Sequence, residues 1–230
     1  MGAADKIPLV VLPGMDGSGV LLTALVENLA PFRPVEVIAF PNERPLGYDE
    51  LTAFALQRTP SERFVVLGES FSGPIAIEVA ATQQRVAGLI LASTFARHPM
   101  PTLLAPLAGL LDLRWLPAAL VQAALLGPAK RSDLNDRLRR VLAKLPREVI
   151  SARASAVLRI DKRSRLSAVS CPVLCLHGRY DRLVRRKHLE EIIALQPSCA
   201  VRMFEAAHML LETRPAETAS EINSFCDHLT

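Results

Sequence analysis

The sequence predicts an α/β fold: a mostly parallel central sheet of about six strands, flanked by helices on both faces and carrying a helical insertion. Three observations lead there. Short apolar runs alternate with helix-spaced segments along most of the 230 residues, the order that successive strand–helix–strand units impose. The apolar runs are continuous and not alternating, as expected of strands buried on both faces. One long stretch, residues 94–170, breaks this rhythm.

The elements follow in order. Ile7 to Leu12 is an apolar run stopped by Pro13-Gly14, and Val20 to Leu29 has helical spacing, so the opening reads as strand, glycine-rich loop and helix. Val35 to Phe40 reads as the second strand and Tyr48 to Gln57 as a short helix. Phe64 to Leu67 is the third strand, with a helix over Pro74 to Ala81, and Val86 to Leu91 is the fourth. Pro172 to Leu176 and Ala200 to Phe204 complete the sheet; a helix near Val184 to Leu195 separates them, and another runs from Pro215 to His228. Residues 1–93 and 171–230 therefore form the core. Residues 94–170 contain TLLAPLAGLLDLRWLPAALVQAALLG, with Trp115, then a basic stretch, and nothing in them reads as a strand. They are expected to be a helical cap above the C-terminal edge of the sheet, with some of the leucines lining an acyl pocket.

Half of the residues are hydrophobic and the net charge is +4, a composition of globular chains that gives no support to nucleic-acid binding. Neither a signal-length apolar segment at the start nor an uncharged apolar stretch of about 18 residues is present, so the expectation is a soluble, cytoplasmic protein. Cys171, Cys175, Cys199 and Cys226 lack CxxC spacing and read as buried free thiols, with no metal site expected. The charge is uneven: residues 94–170 carry +9 and the remainder −5. Arg137, Arg140 and Lys144 recur at helical spacing. With Arg139 they form a basic face that is either solvated or open to an anionic or carrier-bound acyl partner.

In a doubly wound sheet, ligands sit beyond the carboxyl ends of the strands, so the informative residues are those just after each apolar run. These are Pro13-Gly14-Met15, Ser70, Asp181 and His208. A sharp turn at Ser70 needs small neighbours, and Gly68, Ser72 and Gly73 supply them.

On these segments the chain resembles the α/β-hydrolase family over nearly its whole length. GESFSG, residues 68–73, resembles the family's nucleophile elbow, with Ser72 where a second glycine is usual. LHGRYDRLV, residues 176–184, is similar to the loop that carries the family's acid, which falls on Asp181. FEAAHMLLETRP, residues 204–215, is similar to the histidine loop, which falls on His208, and LPGMDGSG, residues 12–19, resembles the first loop, with Pro13 where a histidine is common. The resemblance implies a serine hydrolase. Ser70 would attack, His208 would take its proton, and Asp181 would hold the imidazole. Backbone N–H groups of Met15 and Phe71 would form the oxyanion hole. This chemistry requires no cofactor. A small-molecule carboxylic ester of short or medium acyl chain is the expected substrate; a thioester, or a non-catalytic ligand-binding role, are the alternatives.

Glu69 and Asp16 read as local polar groups, and His98, His177, His188 and His228 as structural or solvated ones.

Overall fold

The sheet places its first and third strands in chain order side by side, and that choice decides where the site lies. The computed structural model describes residues 2, 5–99, 123–127 and 132–229. Six parallel strands run in the order β2-β1-β3-β4-β5-β6, formed by Leu9–Leu12, Val35–Val37, Phe64–Glu69, Val86–Ala92, Val173–Gly178 and Ala200–Phe204 in chain order. From β1 the chain winds outward to β2, and from β3 it winds the other way, so the reversal falls between β1 and β3. Such a switch point opens a crevice at the carboxyl ends of its two strands.

Register aligns those ends. Leu12 of β1 lies opposite Gly68 of β3, Glu69 opposite Ala92 of β4, and Gly178 of β5 opposite Phe204 of β6. The loops after β1, β3, β5 and β6 therefore leave the sheet along one edge.

The continuous apolar strands feed two cores, one on each face. On one face Val10, Leu12, Val66, Leu89, Leu91 and Cys175 pack with residues of three helices, Tyr48–Leu56, Gly73–Thr82 and Arg186–Leu195. On the other, Leu9, Val11, Val65, Leu67, Ile90 and Leu176 pack with Thr23–Leu29 and Pro215–Asp227. The buried Arg33 joins these last two helices. Its guanidinium donates to Asn223 Oδ1 at 2.7 Å, to Asp227 Oδ1 at 2.8 Å and to the Ile7 carbonyl at 3.2 Å.

Several boundaries differ from the sequence expectation for local reasons. The first strand begins at Leu9, since Pro8 offers only its carbonyl, which accepts from Val65 N–H. The second ends at Val37, because Phe40 N–H turns to the Gly17 carbonyl at 2.7 Å. The third runs on to Glu69, paired across to β4. Val20 to Leu29 divides into a 3₁₀ turn, Val20–Leu22, and a helix from Thr23. The helix expected from Val184 starts at Arg186, because the N–H groups of Leu183 and Val184 bind the Asp181 carboxylate.

Between β4 and β5 the described residues form helices Ser132–Lys144, Arg147–Val157 and Arg163–Ser167, with one isolated antiparallel bridge between Arg97 and Asp161. Trp115 and most of the leucine-rich run lie outside the described residues. Leu134 and Leu138 pack with Leu21, Leu126 and Met209, so the first of these helices rests on the loops that follow β1 and β6. Arg137 does not stand free on the basic face: its Nη2 donates to the Val20 carbonyl at 2.8 Å. Arg139, Arg140 and Lys144 are exposed. Among the described residues no helix is long and apolar enough to cross a membrane.

The crossover from β3 into the next helix leaves no room for a side chain at Gly68. A Cβ there would lie 2.7 Å from Ala76 Cβ and 2.8 Å from Gly73 Cα. Gly68→Ala should destabilise the fold by about 1–3 kcal/mol through overpacking, read as a lower urea midpoint with an unchanged slope; an unaltered midpoint would contradict this close approach.

Candidate active site

Ser70 stands on a sharp turn between β3 and the helix Gly73–Thr82. Its φ is +48°, a conformation that L side chains rarely adopt. The surroundings impose it. Glu69 before it is still extended, while the helix Gly73–Thr82 begins three residues after it. The Ser70 carbonyl accepts from Thr94 Oγ1 at 2.5 Å. Ser72, where a glycine is usual, pins the turn from inside: its hydroxyl donates to the Leu12 carbonyl at 2.6 Å and accepts from Glu69 N–H at 3.0 Å. A serine therefore fits this position because its hydroxyl ties the end of β3 to β1. The hydroxyl of Ser70 is carried at the positive end of the following helix.

His208 comes from the loop after β6, and its Nε2 lies 2.7 Å from Ser70 Oγ. Its Nδ1 lies 2.8 Å from Asp181 Oδ2. With a proton on Nδ1, the ring donates to the aspartate and leaves Nε2 to accept from the serine. Asp181 follows β5, and its side chain is 0% exposed. Its other oxygen accepts from the N–H groups of Leu183 and Val184, both at 2.9 Å. Both oxygens of this buried carboxylate are therefore used, which fixes the carboxylate and through it the ring. The three residues expected from sequence meet in one hydrogen-bonded chain.

Phe71 follows the serine in the turn, and Met15 belongs to the loop after β1. The Phe71 carbonyl accepts from the Tyr48 hydroxyl at 2.9 Å, and the two rings stack with centroids 4.7 Å apart. The Met15 carbonyl accepts from Arg153 Nη1 at 2.8 Å. The same guanidinium donates through Nη2 to the Pro41 carbonyl at 3.0 Å and to Asn42 Oδ1 at 2.9 Å. Asn42 in turn donates to the Asp16 carbonyl at 3.1 Å. Gly17, at φ +69°, lies so close to this guanidinium that a Cβ would sit 2.7 Å from Nη1. Burial pulls the Arg153 pKa down to about 10, and the nearby Asp16 opposes the shift. Asp16 shapes the loop as expected, its carboxylate accepting from the N–H and hydroxyl of Ser18.

Arg153 is not legible as a site residue in the sequence, where it is one basic residue in a basic segment. One signal does mark it: with Val149, Ile150 and Val157 it falls at helical spacing on the buried face of its helix. Glu212 was equally silent. It is buried in the short helix Leu210–Thr213, and it faces Glu69, which receives the Gly14 N–H at 3.1 Å.

His177 and His188 are buried, and burial lowers the pKa of each. Neither joins the hydrogen-bonded chain. The four cysteines are free thiols, and no cluster of metal-ligating side chains occurs among the described residues.

Comparison with known proteins identifies the family. Residues 7–221 match the family model described as the alpha/beta hydrolase family. No sequence among curated proteins matches significantly. Solved structures with the same fold include a hydrolase from Pseudomonas aeruginosa PA01, 22% identical, with a TM-score of 0.83 over 98% of this chain and 91% of that one. A thermophilic esterase from Thermogutta terrifontis is 21% identical, with a TM-score of 0.84 over 100% and 92% of the two chains. The enol-lactonase from Burkholderia xenovorans LB400 is 17% identical, with a TM-score of 0.79 over 96% and 92%. At these identities the structures speak for the fold, and the family match, spanning nearly the whole sequence, establishes that the chain belongs to the alpha/beta hydrolase family.

Proposed function

We propose that the protein is a serine hydrolase of carboxylic esters that works through an acyl-enzyme. One observation carries this reading: the unbroken chain Ser70–His208–Asp181, built on a strained turn at the switch point of the sheet. A serine hydroxyl is a weak nucleophile unless a base takes its proton during attack. His208 Nε2, at 2.7 Å, is within reach to do so. The imidazolium that forms lies against the buried Asp181, whose remaining contacts are backbone N–H groups that hold it as an acceptor. His208 then returns the proton to the leaving alcohol. In the second half it activates water against the acyl-serine, which regenerates the hydroxyl.

The tetrahedral intermediate needs donors already in place, and the backbone N–H groups of Met15 and Phe71 are proposed for that task. The contacts of Arg153 and Tyr48 to the carbonyls of these two residues support it, because they limit how far each backbone segment can reorient. Residues 94–170 are proposed as a cap, supported by the packing of Leu134 and Leu138 on Leu21 and Met209. That hydrolase, esterase and enol-lactonase are the names of the three similar structures agrees with an ester substrate.

The direct test is Ser70→Ala with a fluorophosphonate probe and a series of p-nitrophenyl esters. The variant should remain folded, lose labelling, and lose at least about 1,000-fold in kcat. Wild type should show a burst of p-nitrophenol, largest for short or medium acyl chains; continued labelling of Ser70→Ala would refute the assignment.

The three residues should also act as a unit. His208→Ala and Asp181→Asn combined should cost little more than His208→Ala alone, since the aspartate works only through the ring. A double variant that loses the product of the two single effects would show that they work independently.

A further inference from the structure

Two buried carboxyl groups stand beside the triad and are unused in the chemistry above. Glu69 ends β3 immediately before the nucleophile, and Glu212 lies four residues after His208. They are only 7% and 5% exposed. Glu69 Oε2 receives the Gly14 N–H at 3.1 Å, which ties it to the loop after β1. Glu212 Oε2 is buried and has no N–H or O–H donor among the described residues, yet its carboxyl group lies within hydrogen-bonding reach of Glu69. Two ionised carboxylates have no hydrogen to place between them, and two like charges in a buried site repel. A single proton removes both difficulties.

We propose that Glu69 and Glu212 share one proton at neutral pH, and that this acid-to-carboxylate hydrogen bond is a positioning strap. It would hold together the three segments that the reaction needs: the loop of Met15, the turn of Ser70 and the loop of His208. The proposal rests on the hydrolase reading for its catalytic consequence, and on the buried contacts alone for the strap itself.

The assignment of donor and acceptor follows from the surroundings. Burial raises the pKa of both groups, and Glu212 is raised well above the usual carboxylate range, with the charge of Glu69 adding to the effect. For Glu69 the bond from Glu212, the charge of His208 and the Gly14 N–H all oppose the rise. Glu69, whose Oε2 accepts the Gly14 N–H, is thus the carboxylate, and Glu212, whose Oε2 has no donor among the described residues, is the acid. Asp16, from the loop after β1, adds a like charge to both, while the positive charge of Arg153 interacts with Asp16. The one negative charge left on Glu69 faces His208, on which positive charge develops during attack. When alkaline pH removes the shared proton, two anions remain beside Asp16 and the strap opens.

The test compares wild type with Glu212→Gln and Glu212→Ala. Glutamine can still donate to the Glu69 carboxylate but cannot ionise, whereas alanine cannot donate. Glu212→Ala should lose roughly 10- to 100-fold in kcat, since small displacements of reacting groups have effects of that order. Wild type should show an alkaline fall in kcat, and Glu212→Gln should recover most of the alanine variant's loss and also abolish that fall. Thermal unfolding from about pH 6 to about pH 9 supplies a readout independent of activity. A carboxyl whose folded pKa is raised keeps a proton that the unfolded chain has already released, so its contribution to stability is lost as pH rises through the folded value. Wild type should therefore lose more Tm over this range than Glu212→Gln. Parallel Tm profiles would overturn the shared proton. Diverging Tm profiles with an unchanged alkaline fall in kcat would overturn the positioning role. Diverging profiles in proteins that neither label nor turn over ester would support the shared proton and overturn the hydrolase reading instead.

Discussion

The site depends on the backbone ladder that holds the end of β3 between β1 and β4. Gly68 and Glu69 are paired on to Leu91 and Ala92, so the strand cannot relax where the chain must reverse. Ser70 therefore takes a positive φ at the first position free of the sheet. Ser72 closes the turn by binding Leu12 across the switch point, and Thr94 holds the Ser70 carbonyl from the end of β4. A local conformation that costs on the order of 1–3 kcal/mol is thus maintained by neighbours on both sides. Every other member of the site is placed relative to this fixed point.

Much of that arrangement was legible in the sequence, because it follows from the ends of strands. Continuous apolar runs located the sheet, and in a parallel sheet the residue after each run must emerge at the same edge. Ser70, Asp181 and His208 lie in the loops that this rule marks, and the hydrolase resemblance singles them out there and agrees with their order in the chain. The details that escaped the sequence have a common cause. The early end of β2 at Val37 and the late start of the helix at Arg186 are set by hydrogen bonds between distant segments. Arg153 and Glu212 belong to elements whose local patterns describe only an amphipathic helix and a short turn. Their relation to the loop of Met15 and to Glu69 arises from tertiary packing over long sequence separations.

Burial of charge is concentrated around the reacting groups. Asp181 satisfies its carboxylate with two backbone N–H groups and an imidazole, and Arg153 binds two carbonyls and an amide oxygen. Isolated buried charges are costly, but charges held by fixed dipoles lock those dipoles in return. Met15, Pro41 and Asn42 are held in this manner by one side chain. Electrostatic preorganisation of this kind needs no reorganisation when the charge of a transition state develops.

Arg153 also changes what the segment between β4 and β5 is. Its helix, Arg147–Val157, lies between β4 and β5, outside the sheet. Yet its guanidinium fills the space left by Gly17 and supports the loop after β1 from above. The segment is therefore bound into the loop after β1 and is not an interchangeable attachment. Grafting a foreign segment in place of the helix Arg147–Val157 would carry away a support of the loop of Met15, and a matched arginine would have to travel with any graft that kept that loop in place.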